Sequence, residues 1–161
     1  MLKKILAFAA ITFIACLGAF ADKVESGFFD AAIKTSADTK KPLLFLLTGS
    51  SWCPPCQQFE KSVLASEEWK AFEKENVTFL IYDIVGDKIL HLTLNGKSIK
   101  GEGKELAAQA DEFGLFAQTH NLQYVPSLMT YDHQTKKWRH IKSDYTPAGF
   151  IKILKTEWGK K

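Results

Sequence analysis

Cysteine is scarce in this chain, with three among 161 residues, and that scarcity weighs against one architecture. Small secreted domains stapled by disulfides usually carry four or more cysteines spread along their length. Here Cys16 stands alone near the start, and Cys53 and Cys56 stand close together. A bridge between those two closes a four-residue loop and stabilises little, because the entropic gain of a cross-link grows with loop length. An excess of one charge is also missing. The net charge is +3, falling to +1 without Lys3 and Lys4, which leaves no electrostatic case for nucleic acid binding. Histidine is limited to His91, His120, His133 and His140, none paired at ligand spacing. Zinc takes four protein ligands, or three and a water, so a metal site is the weaker reading of the cysteine pair, with copper the ion to look for. No internal repeat or low-complexity tract breaks the chain. Apolar residues make up 46% of it, enough to bury a core in one domain.

One long apolar run is present, at the N-terminus. "MLKKILAFAAITFIACLGAFAD" places two lysines before an apolar stretch from Ile5 to about Leu17, then Ala19-Phe20-Ala21. This is the pattern of a secretory leader cleaved after Ala21. An uncleaved anchor is the alternative, but the stretch is short for a spanning helix, which needs about 20 apolar residues. Cys16, within "FIAC", loosely resembles the lipidated cysteine of bacterial lipoproteins, a competing fate. The expected organisation is a signal peptide over 1–21 and one domain over 22–161. The expected location is periplasmic or secreted, with the mature form soluble unless lipidated at Cys16.

Downstream, residues 24–37 carry Val24, Phe28, Ala31 and Ala32 at helical spacing. "KPLLFLLTGS" holds a continuous apolar run between Pro42 and Gly49, short enough for a strand buried on both faces. A helix is predicted from Pro54 to about Ala65, another from Ser66 to Glu75, and a second central strand over "VTFLIYDIV". Residues 86–103 are rich in glycine, and Leu90, Leu92 and Leu94 alternate with polar residues before Asn95-Gly96, the sequence of a tight hairpin. A helix from Lys104 to about Thr119 follows, then an antiparallel pair, "VPSLMTYD" with "KWRHIK". Thr146-Pro147 opens a last helix with Phe150, Leu154 and Trp158 on one face. Alternating strands and helices imply an α/β fold: a mixed sheet, parallel at first with an antiparallel C-terminal edge, flanked by helices.

"SWCPPCQQFE" carries the chemistry. Proline fits the first turn of a helix, where a missing N–H costs nothing. Pro54 and Pro55 therefore place Cys53 at a helix start and Cys56 one turn on, within reach of a disulfide, since positions three apart lie about 5–6 Å from each other. The helix start favours thiolate at Cys53, while Cys56 shares a face with Phe59 and Val63 and is expected to be buried. An exposed, activated thiol beside a sheltered one is the asymmetry that disulfide exchange requires.

Trp52-Cys53-Pro54-Pro55-Cys56 after a buried strand, with Val125-Pro126 opening another strand some 70 residues later, resembles the thioredoxin superfamily. "KPLLFLLTGSSWCPPCQQFEKSV" is similar to secreted bacterial thioredoxin-like proteins, and the likeness runs from about Val24 to Trp158. The resemblance implies a thioredoxin fold with a small hairpin-like insertion near 86–103, read as a longer crossover, with a partner-docking element as the alternative. It implies that Cys53 attacks, Cys56 resolves the mixed disulfide, Trp52 shields the site, and Pro126 is a cis-proline beside the cysteines. Val125 then offers its backbone to a substrate strand. Without the resemblance, Val125-Pro126 is a trans proline at a strand start and Trp52 a core aromatic.

One departure stands out. The family keeps a buried aspartate six residues before the first cysteine, to take the proton from the resolving thiol; here that position is Leu47. A carboxylate placed there is expected to reach Cys56. Glu60, a turn after Cys56, is a substitute proton acceptor or else a solvated surface glutamate. The function expected is thiol–disulfide exchange with proteins through Cys53 and Cys56, needing no cofactor. The partners expected are protein thiols and disulfides and a redox partner, a membrane thiol-electron carrier being one candidate. The Pro-Pro dipeptide resembles that of reducing members, which tilts the direction to reductase. The alternatives are a binding or chaperone-like module with an idle disulfide, and a copper-handling protein.

Overall fold

A computed structural model describes residues 27–85, 88–99 and 104–159; the leader expected over 1–21, with Cys16 and Val24, lies outside them. The elements run α1 (Phe28–Thr39), β1 (Leu43–Thr48), α2 (Pro54–Phe59) prolonged by a π-helical turn (Glu60–Leu64), α3 (Glu67–Asn76), β2 (Thr78–Val85), β3 (Lys88–Leu94), β4 (Lys97–Ser98), α4 (Lys104–Thr119), β5 (Ser127–Asp132), β6 (Lys137–Ile141) and α5 (Pro147–Gly159). The sheet order is β4-β3-β2-β1-β5-β6. β1 and β2 are parallel and every other pairing is antiparallel. Among the described residues no helix is long and apolar enough to cross a membrane.

β1 is apolar for five residues because it lies mid-sheet with helices on both faces, and all six of its residues are buried. Strand side chains alternate, so β1 feeds two cores. Leu43, Phe45 and Leu47 meet Phe28 and Phe29 of α1 and Phe116 of α4. Leu44 and Leu46 meet Phe59, Val63, Trp69, Phe150 and Leu154 beneath α2, α3 and α5. Full burial of each such side chain stabilises by about 1.5–3 kcal/mol.

Local chemistry sets the boundaries. Ser66 accepts the Trp69 N–H (3.2 Å) to start α3, with Glu67 and Glu68 at the positive end of the helix. Thr146 Oγ1 accepts the Gly149 N–H (3.2 Å) to start α5. α1 has no side-chain cap of its own. Its first N–H groups, of Phe28 and Phe29, donate instead to the Glu112 carboxylate of α4 at 3.0 and 3.1 Å.

The predicted hairpin is present. Asn95 (φ 50°) and Gly96 (φ 71°) both take the left-handed backbone that a two-residue hairpin turn requires. Asn95 exchanges two hydrogen bonds with the Phe79 backbone, 2.8 and 2.9 Å long, which fasten the turn to β2. The segment is more than a longer crossover, because β3 pairs along β2 and extends the sheet.

Candidate active site

The site is built where the loop from β1 to α2 crosses the C-terminal end of β2. Cys53 caps α2 with an extended backbone (φ −99°, ψ 106°), Pro54 and Pro55 fill the first helical positions, and the Cys56 N–H points at Cys53 Sγ from 3.3 Å. That donor stabilises negative charge on this sulfur when the pair is reduced. The two cysteines are joined by a disulfide, with Cα atoms 5.2 Å apart. The Val125–Pro126 peptide bond is cis, and the Val125 carbonyl lies 3.7 Å from Cys53 Sγ. A disulfide sulfur has no hydrogen to donate, so this contact becomes a hydrogen bond only with a Cys53 thiol.

Gly49, Ser50 and Trp52, ahead of Cys53, hold the loop. The N–H groups of Trp52 and Cys53 turn back onto the Gly49 carbonyl at 3.2 and 2.9 Å. Ser50 gives its N–H to Asp83 Oδ1 (2.8 Å) and its hydroxyl to Oδ2, while Gln57 Nε2 donates to the Ser50 carbonyl (3.0 Å). Trp52 lies over Gly49, where an added Cβ would meet the indole at 2.6 Å. The indole N–H donates to the Ile84 carbonyl (2.6 Å). Half of Trp52 remains exposed, so it is a surface plate and not a core aromatic.

The structure brings Trp52, Cys53, Pro54, Pro55, Cys56, Val125 and Pro126 together, and corrects two expectations. Cys53 is only 4% exposed, against 1% for Cys56. What distinguishes the thiols is therefore not access but surroundings: the helix start and the Val125 carbonyl for Cys53, the apolar face with Phe59 and Val63 for Cys56. Leu47 does not face Cys56. Strand alternation turns it into the opposite core with Phe45 and Tyr82, and Leu46 and Thr48 line the side beneath the disulfide. Counting six residues back from Cys53 lands on the wrong face of β1.

A cavity of about 160 Å³ lies on that side, lined by Thr48, Cys56, Phe59, Glu60 and Asp83 among others. Glu60 is an exposed residue at this cavity. Asp83 is buried, and sequence reading passed over it; the signal available was a lone acid inside the apolar strand "FLIYDIV". Tyr124 was also passed over, 69% exposed and adjacent to Val125. Among the described residues no group of three or more His, Cys, Asp or Glu side chains is gathered to hold a metal ion.

Residues 29–157 match the family model of the thioredoxin-like domain. Solved structures of similar fold include a DsbH oxidoreductase, 18% identical over 84% of this chain and 83% of that one, with a TM-score of 0.57. A thioredoxin from Thermus thermophilus is 16% identical over 82% of this chain and 85% of the other, with a TM-score of 0.50. No curated protein matches the chain.

Proposed function

Because the chain belongs to the thioredoxin-like domain family, we propose that it is a thiol–disulfide oxidoreductase that exchanges disulfides with proteins outside the cytosol. The observation that carries this reading is the placing of Cys53 Sγ at the start of α2, in line with the Cys56 N–H and beside the Val125 carbonyl. In the reducing direction the Cys53 thiolate attacks a client disulfide and forms a mixed disulfide, and one client sulfur leaves as thiolate. Cys56, as thiolate, then attacks Cys53 Sγ. The bond between Cys53 and the client breaks, the second client sulfur leaves and takes up a proton, and the protein holds the disulfide. The client gains two electrons and two protons, which the two cysteines lose.

Trp52, next to Cys53, and Tyr124, next to Val125 in the chain, supply exposed aromatic surface, and Val125 supplies backbone for an extended client segment. The leader-like sequence over 1–21 is the basis for proposing a periplasmic or secreted setting, and the Pro-Pro dipeptide for the lean towards reduction. Reduction of a model protein disulfide, abolished by Cys53→Ser, tests the activity. Cys56→Ser should trap client proteins on Cys53, and a folded, exported Cys56→Ser protein without adducts would favour the idle-disulfide scaffold. A potential near −270 mV against glutathione supports reductant work, and one near −120 mV supports oxidation.

A further inference from the structure

We propose that Asp83 takes the proton from Cys56 when that thiol resolves the mixed disulfide. The inference rests on the exchange reading above and assigns one of its steps. Cys56 is buried on an apolar face with Phe59 and Val63, a setting that opposes thiolate formation, yet resolution needs the thiolate. Two carboxylates line the cavity that reaches Cys56, those of Glu60 and Asp83. Glu60 is exposed and free to be solvated, whereas Asp83 is buried with both oxygens fixed by Ser50. Each oxygen has a second lone pair to offer, and the cavity of about 160 Å³, which Thr48, Ser50 and Thr93 also line, is roomy enough for water to bridge thiol and carboxylate. Asp83 arrives through the parallel register that sets it beside Thr48, so a neighbouring strand provides the acid that β1 lacks.

In the step, the Cys56 S–H proton passes to Asp83 and the Cys56 electron pair forms the bond to Cys53 Sγ. The bond between Cys53 and the client breaks, and its electron pair leaves on the client sulfur. Asp83 then returns the proton to that thiolate or to water. No further oxidant or reductant is needed.

The test uses the reduced protein with glutathione disulfide as the probe, rapid acid quench and intact-mass detection of the glutathionylated intermediate. Attack by Cys53 and resolution by Cys56 are thereby timed separately. Asp83→Asn keeps an oxygen for the Ser50 N–H but cannot take a proton. It should leave attack unchanged and slow resolution at pH 7 at least about tenfold, within the usual range for a positioned base. Internal transfer exchanges no proton with solvent, so wild-type resolution should be flat between about pH 6 and 8. In Asp83→Asn it should climb about tenfold per pH unit, as thiolate formation by solvent does below the thiol pKa. Among the described residues Glu60 shares the cavity with Asp83, and His91 is the register partner of Asp83 on β3; Glu60→Gln and His91→Gln should both resolve as wild type does. Resolution at wild-type rate in Asp83→Asn, loss in Glu60→Gln or His91→Gln instead, or a wild-type rate that itself climbs tenfold per pH unit would each overturn the assignment. The wild-type profile with Glu60→Gln decides the matter should Asp83→Asn fail to fold. A wild-type protein that forms no intermediate overturns the exchange reading and this one with it.

Discussion

The two faces of the sheet are made of different material. Under α1 and α4, Phe29 stacks on Phe116 with ring centroids 3.7 Å apart, and Phe45 and Trp138 meet both edge-on. Under α2, the layer also holds two sulfurs, a carboxylate and a cavity. One strand serves both faces, since consecutive residues of β1 point alternately into the aromatic core and towards the disulfide. The difference teaches that the reactive groups are confined to one side of the sheet. Close packing carries the fold on both sides, and the disulfide and the Asp83 carboxylate enter only the one under α2, where β1 and β2 end.

The strongest way to break this comparison is Leu47→Asp. It places a carboxyl group among Phe45 and Tyr82, losing a buried leucine and burying an unpaired polar group. A cost of about 4 kcal/mol or more is expected in denaturant melts, with no acceleration of mixed-disulfide resolution in the protein that remains folded. Faster resolution would show that the two layers are not separate.

Gly49→Ala strikes the other face. Its Cβ would meet the Trp52 indole at 2.6 Å, so the ring must shift and the bond to Ile84 is strained. The expected loss is about 1–3 kcal/mol, with a larger drop in rate towards protein disulfides than towards glutathione disulfide, read by parallel kinetics. Glu112→Ala removes the cap that α4 lends to α1, at a cost of about 0.5–2 kcal/mol and with exchange kinetics unaltered.

The smallest effect concerns pH. Burial first, and then the nearby His140, hold the His120 pKa below its ordinary value. His120 packs on Phe116 with ring centroids 4.4 Å apart. The unfolded chain therefore binds the proton more readily, and stability falls as pH drops from about 6.5 through the lowered folded value. Melting temperatures between about pH 7 and 5 should fall in wild type and flatten in His120→Gln.

Much of this was legible in the residues, for reasons that differ along the chain. The apolar run of β1 between Pro42 and Gly49, the Asn95-Gly96 turn and the Thr146-Pro147 cap each encode their structure locally. The disulfide was legible because Pro54 and Pro55 fix where α2 begins. Asp83 was not, because its tie to Ser50 spans 33 residues and depends on strand register. The Glu112 cap spans 83 and 84 residues and leaves no local trace. Leu47 was misplaced because distance along the chain from Cys53 does not report the facing of a strand residue once a loop intervenes.

The hairpin after β2 has a consequence for how copies of this molecule meet. A strand left at a sheet margin offers unpaired N–H and C=O groups, a template on which a second chain can polymerise. β3 occupies that margin of β2 along its length, and β4 pairs in turn with Thr93 and Leu94 at the end of β3 through two exposed residues, Lys97 and Ser98. The far margin is β6, five residues long and carrying Lys137, Arg139 and His140. Lysine on the short outer strand and basic side chains along β6 discourage edge-to-edge aggregation.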